Sequence, residues 1–267
     1  MSTQVLLCLD NVPLSSIKDQ INLLQDIEKI LQKKISDVFD LIAGSGLGGI
    51  IALMIANGLT LPEIESSLLK MNNYSFWNWL IPFRSNDQFY QSIFGDKKMS
   101  ESKSKVMVVS TLIDNHPLFY TPKMIPYLFI SYYTPLTYPL KNTCAPIFNG
   151  TYTSTFLQAA KATMSTSNYV YEQRTLKGEQ YIENNPTEYA TIEAKLLFPD
   201  DNLCIINIGS DLTNTDGAYE NTKRWLQTIR HQDPLIFRLT PNNTYLLNRL
   251  KYYFNQINKY YSLLDIR

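Results

Sequence analysis

The chain is short of most features that would name a chemistry at first sight. Its formal net charge is zero and only 18% of its 267 residues are charged, so it carries no basic footprint for nucleic acid and no acidic tail. There are three cysteines, Cys8, Cys144 and Cys204, with no C-x-x-C pair among them. An odd, scattered set reads as reduced, buried thiols rather than a disulfide framework or a zinc site. The two histidines, His116 and His231, sit in loop-like contexts beside prolines and read as surface residues; neither has the partners of a triad or a metal centre. No basic leader precedes the first apolar run, and no apolar stretch reaches the roughly 20 residues that span a bilayer. These absences predict a cytoplasmic protein with no metal or cofactor, no nucleic-acid partner and no transmembrane segment.

What is present is a 45% hydrophobic chain, large enough to bury a sizeable core, that reads as a single domain over 1–267. Val5 to Leu9 is a continuous apolar run of the kind a buried parallel strand makes. Ile17 to Lys34 carries apolar residues at helical spacing, and Val38 to Ala43 is a second apolar strand. A glycine-rich turn follows, and Ile50 to Ala56 continues as a helix closed by Asn57-Gly58. Thr60 with Glu63 reads as a capping box opening the next helix. Strands are expected again at Val106 to Thr111 and Leu203 to Gly209, with helices at Phe156 to Met164 and Tyr245 to Leu264. Pro117 to Pro146 keeps no single period and is expected to be an irregular excursion or lid. Strand, helix, strand, helix implies a βαβ unit and a parallel sheet.

The glycine turn, Asp40-Leu41-Ile42-Ala43-Gly44-Ser45-Gly46-Leu47-Gly48-Gly49, is the most specific feature of the chain. No Lys-Ser or Lys-Thr follows its glycines, which excludes a phosphate loop. A dinucleotide turn would belong on the first strand, which ends here in Asp10-Asn11-Val12. The remaining readings are tight strand–helix packing and a nucleophile elbow, G-x-S-x-G, framed by Gly44 and Gly48.

The run Phe39 to Gly49 resembles, without a gap, the elbow segment of the patatin-like phospholipases. Asn184-Asn185-Pro186, Phe198-Pro199-Asp200-Asp201 and Ile205 to Gly209 resemble that family's later segments in the same order, so the likeness extends from Val5 to about Pro241. It implies a three-layer α/β fold with a mainly parallel central sheet flanked by helices, the core over about 5–241 and a C-terminal helix over about 245–264. It also implies a Ser-Asp dyad served by a glycine-rich oxyanion turn. Here the nucleophile position is Gly46, and the oxyanion turn reads Asp10-Asn11-Val12-Pro13, in which Pro13 has no N–H to donate. The dyad acid is replaced by Tyr181-Ile182-Glu183 running straight into Asn184.

Two residues could stand in for the missing chemistry. Ser45 neighbours the nucleophile position, but Leu47 is a poor fit two residues after it, so Ser45 reads as a turn residue and a fallback nucleophile. Asp216-Gly217-Ala218 matches the acid motif out of order and reads as a surface turn. The expectation is therefore a catalytically inactive member acting as an interaction or structural subunit, with a protein partner or an oligomer. A phospholipid or fatty acid is the candidate ligand, bound at most at the periphery of a membrane. The alternative is a residual acyl hydrolase working through Ser45 with Glu183 or Asp216. The aromatic cluster from Phe76 to Phe83 reads equally as core or as the cover of an apolar cleft.

Overall fold

A computed structural model describes residues 2–80, 87–114, 122–133, 148–166, 168–178, 185–209, 235–241, 246–252 and 254, with the side chains of 72–80 outside the description. The expected lid segment outside 122–133, the acid candidates Glu183 and Asp216, both histidines and Cys144 lie outside the described residues.

The first strand, β1 (Thr3–Leu9), is buried on both faces. A three-residue 3-10 turn at Leu14–Ser16 leads into α1 (Ile17–Leu31). The helix was expected to run to Lys34; instead Gln32 takes a left-handed conformation, φ 55°, and closes it. A short α2 (Ile35–Val38) follows, so Val38 belongs to a helical turn and not to the second strand, β2 (Leu41–Ser45). Asp40 ties the two strands together: its carboxylate accepts from Val5 N at 2.7 Å, and its own N–H donates to Val5 O at 2.9 Å. The next helix, α3 (Gly46–Asn57), begins at the elbow glycine itself, four residues before the apolar run suggested. Gly58, φ 95°, ends it, and Thr60 and Glu63 cap α4 (Leu61–Leu80) as the spacing predicts.

Beyond α5 (Asp87–Phe94), β3 (Val106–Asp114) pairs with β4 (Lys123–Ile130) in antiparallel fashion. The stretch expected to be irregular thus contains a strand. Proline misled the pattern: Pro126 falls just outside Tyr127–Phe129, the only part of β4 that the short edge strand β5 (Asn149–Thr151) covers. Helix α6 (Phe156–Met164) is capped by Thr155 and Gln158. The hairpin β6 (Tyr169–Tyr171) and β7 (Arg174–Gly178) rejoins the sheet at β3. Then come α7 (Thr187–Leu197), β8 (Asn202–Ile208) and β9 (Leu235–Leu239), with helix again over 246–252.

The strand order is β5-β4-β3-β2-β1-β8-β9, and β3, β2, β1, β8 and β9 run parallel to their neighbours in the series. Period-2 alternation divides the core. Leu7, Leu9 and Ile42 pack with α1, α3 and α6 on one face, while Leu6, Cys8, Leu41 and Ala43 pack with Tyr189, Ala190 and Ala194 of α7 on the other. This is the mixed α/β architecture that was expected, with a central, mostly parallel sheet between helices. The chain passes from β1 to β2 and β3 on one side, and places β8 and β9 on the other. The topological switch point therefore lies between β1 and β8, where open parallel sheets form their crevices.

Candidate functional site

The carboxyl ends of β1, β2, β8 and β9 bring Asp10, Gly46, Gly209 and Thr240 to one edge of the sheet. Gly46 has φ +50°, a left-handed conformation that a side chain adopts only with strain. Its frame is held by contact, not by preference. A Cβ on Gly44 would lie 2.5 Å from Gly48 O and 2.6 Å from Gly49 Cα, and one on Gly48 would overlap the carbonyls of Leu9 and Asp10. The strand and helix backbones approach too closely for any larger residue. The strand-to-helix turn is thus close-packed, with a left-handed glycine at position 46.

Two side chains from distant segments complete it. Thr163, near the end of α6, accepts from Gly46 N at 2.8 Å and donates to Val109 O at 2.7 Å, so one buried hydroxyl joins α6, β3 and the elbow. Asn11 approaches from the opposite side: its Oδ1 accepts from Leu47 N at 3.1 Å. A Cβ added to Gly46 would overlap the Asn11 Oδ1 and Cγ and lie 2.8 Å from its Nδ2. The Asn11 carboxamide therefore fills the volume that a side chain at position 46 would enter.

The turn expected to supply oxyanion donors does other work. Val12 is buried in the core beside α1, Pro13 is exposed, and Asp10 is buried in a polar cluster with Asn207 and Arg238. Asp10 Oδ1 accepts from Asn207 Nδ2 at 2.6 Å, and its Oδ2 pairs with Arg238 Nη1 at 3.3 Å. Arg238 also donates to Asn207 Oδ1 at 2.6 Å, while Gln20 Nε2 donates to the carbonyls of Asp10 and Ile208. Burial pushes the Asp10 carboxyl up to about 7, against the opposing pull of Arg238 and the Asn207 hydrogen bond. Asn185, second of the Asn-Asn-Pro segment, accepts from Thr187 N at 2.8 Å and meets Asn207 Nδ2 at 3.5 Å. The Asn-Asn-Pro segment thus anchors α7 to β8 through Asn185.

Ser45, the fallback nucleophile, is fully buried at the end of β2 in extended conformation, φ −132°, ψ 145°. An elbow nucleophile needs the tight turn and an open approach, and Ser45 has neither. Sequence reasoning missed Thr163, Asn207 and Arg238. Asn207 alone left a trace, as the single polar residue inside the apolar run Leu203 to Ile208. No group of three or more histidine, cysteine or acidic side chains that could hold a metal ion occurs among the described residues.

The sequence model of the patatin-like phospholipases matches residues 20–191, more than half of the chain. The protein belongs to the patatin-like phospholipase family. Among its relatives, the 85/88 kDa calcium-independent phospholipase A2 of Rattus norvegicus is 34% identical over 116 residues, 42% of this chain and 14% of that protein. The cGAMP-activated phospholipase of Vibrio cholerae is 40% identical over 63 residues, 21% of this chain and 18% of that protein. The matched segments thus span less than a fifth of these relatives. A chain of the crystal structure of full-length SpcU in complex with full-length ExoU, from the type III secretion system of Pseudomonas aeruginosa, aligns over 96% of this chain and 52% of its own length, at 13% identity and a TM-score of 0.38. Among the described residues, no helix is long and apolar enough to cross a membrane.

Proposed function

We propose that this protein is a non-hydrolytic member of its family, a single-domain cytoplasmic interaction or structural subunit that binds a protein partner or a second copy. A phospholipid or fatty acid is the ligand class the family suggests, held without being cleaved. One observation carries the reading: the elbow retains its left-handed turn and its close-packed glycines, yet residue 46 has no side chain and Asn11 fills the space before it. Covalent acyl transfer needs a nucleophile, and the groups that serve a nucleophile act with it as a unit. The elbow's glycines are explained by backbone contact alone, so their retention supports a maintained scaffold and not a maintained reaction.

A serine-reactive fluorophosphonate probe tests this directly. The wild-type chain is expected to remain unlabelled under conditions that label an active patatin-like hydrolase. Labelling that disappears in Ser45→Ala would overturn the proposal and establish Ser45 as a nucleophile. Mass spectrometry of lipid released from the denatured protein tests the ligand class separately.

A further inference from the structure

We infer that Asn11 and Gly46 are an interlocked pair: the Asn11 carboxamide occupies both the volume beside residue 46 and the Leu47 N–H, so residue 46 can take a side chain only by displacing that carboxamide and breaking its hydrogen bond. The inference deepens the non-hydrolytic reading and rests on it for the identity of position 46. Three observations meet here. A Cβ at position 46 would overlap two atoms of the carboxamide and lie 2.8 Å from the third. The N–H of Leu47, the residue after the nucleophile position, is the donor an elbow presents to a developing oxyanion, and Asn11 Oδ1 accepts from it at 3.1 Å. The neighbouring Gly46 N–H donates to Thr163 Oγ1 at 2.8 Å, so a shift of the turn that relieved the contact would also disturb that bond.

The backbone on either side of Asn11 is held, so relief at position 46 must come from rotation of the carboxamide away from Leu47 N–H. Asp10 before it is held by Asn207 and Arg238, and by its own N–H on Ile208 O at 3.0 Å. Val12 after it is buried in the core. The loop is pinned on both sides of the residue whose side chain covers the elbow. A side chain introduced at position 46 alone therefore meets a filled site.

A double-mutant cycle in the full chain tests the lock, with Gly46→Ser, Asn11→Gly and the double variant followed by thermal unfolding. With Asn11 present, Gly46→Ser is expected to lower Tm by roughly 8 °C, from overlap plus left-handed strain. With Asn11→Gly, only the strain remains, and the drop shrinks to about 3 °C. Equal drops in the two backgrounds would overturn the inference. Should Gly46→Ser fail to fold, amide hydrogen exchange in Asn11→Ala provides the second reading. Exchange at Leu47 is expected to rise about tenfold or more, while Gly46 N–H, still held by Thr163, keeps its protection. Unchanged protection at Leu47 would equally overturn the lock. Fluorophosphonate labelling of the wild-type chain would remove the non-hydrolytic reading and leave both of these measurements standing, so the two failures are distinguishable.

Discussion

Asn207 of β8 donates from Nδ2 to Oδ1 of Asp10 at 2.6 Å, joining the carboxyl ends of the two strands that flank the switch point. Arg238 bonds to both residues, so β1, β8 and β9 share one buried polar cluster. This cluster holds the loop after β1 in place, with Asp10 N–H also bonded to Ile208 O. That position decides which way Asp10 and Asn11 face, and so what stands before the elbow.

Asp10 should make stability depend on pH in the opposite sense from an ordinary salt-bridged carboxylate. Burial raises it from 3.8 to about 7, with Arg238 and Asn207 acting against the rise. The folded state therefore holds this proton more tightly than the unfolded chain does. The stability it contributes is present in full below about 3.8 and is lost as pH rises to about 7. Chemical denaturation between pH 4 and pH 8 should show that decline in the wild type, and Asp10→Asn should flatten it.

Thr163→Val removes the hydroxyl that joins Gly46 N–H to Val109 O, leaving two buried backbone groups without this partner. The expected cost is about 2 kcal/mol. Thr163→Ser keeps the oxygen and is expected to recover most of it. Urea midpoints of the two variants, compared with wild type, check the difference.

Glycine is required at Gly48 and merely convenient at Gly95. A Cβ on Gly48 would overlap the Leu9 and Asp10 carbonyls, whereas one on Gly95 meets nothing within 4 Å and suffers only from a φ of +55°. Gly48→Ala is expected to cost about 3 kcal/mol or more, because rigid backbone must move. Gly95→Ala should cost about 1 kcal/mol, the left-handed strain alone. Equal losses in denaturant titration would show that the elbow is not close-packed.

Cys8 should be inert in the native protein. It is buried, and burial pushes its thiol up to about 12, with Thr187 opposing and Asp10 adding to the rise. The thiolate is the reactive form, so a maleimide should leave Cys8 unmodified until the chain is unfolded. Peptide mapping after labelling in native and denaturing buffer separates the two cases.

Much of the scaffold was legible along the chain because its signals are local. Val5–Leu9 and Val106–Val109 are continuous apolar runs, Leu203–Ile208 is apolar but for Asn207, and Thr60 with Glu63 caps a helix three residues apart. The elbow was legible for the same reason, since Gly44, Gly46, Gly48 and Gly49 lie within six residues of one another. Less legible were β4, where Pro126 concealed a strand, and the end of α1, where Gln32 takes a left-handed turn that no glycine announces.

That residue 46 is a glycine is a matter of sequence, because no folding can supply a side chain the chain does not encode. What stands in its place belongs to tertiary structure. Asn11 lies 36 residues from Leu47, and Thr163 lies 117 residues from Gly46, distances along the chain over which no periodicity carries information. Their meeting depends on the parallel pairing of β1 with β2 and on α6 packing beside α3, both set by burial of apolar surface rather than by the polar groups themselves. Hydrophobic patterning brings the segments together, and in that arrangement a carboxamide and a hydroxyl accept from the two N–H groups at the head of α3.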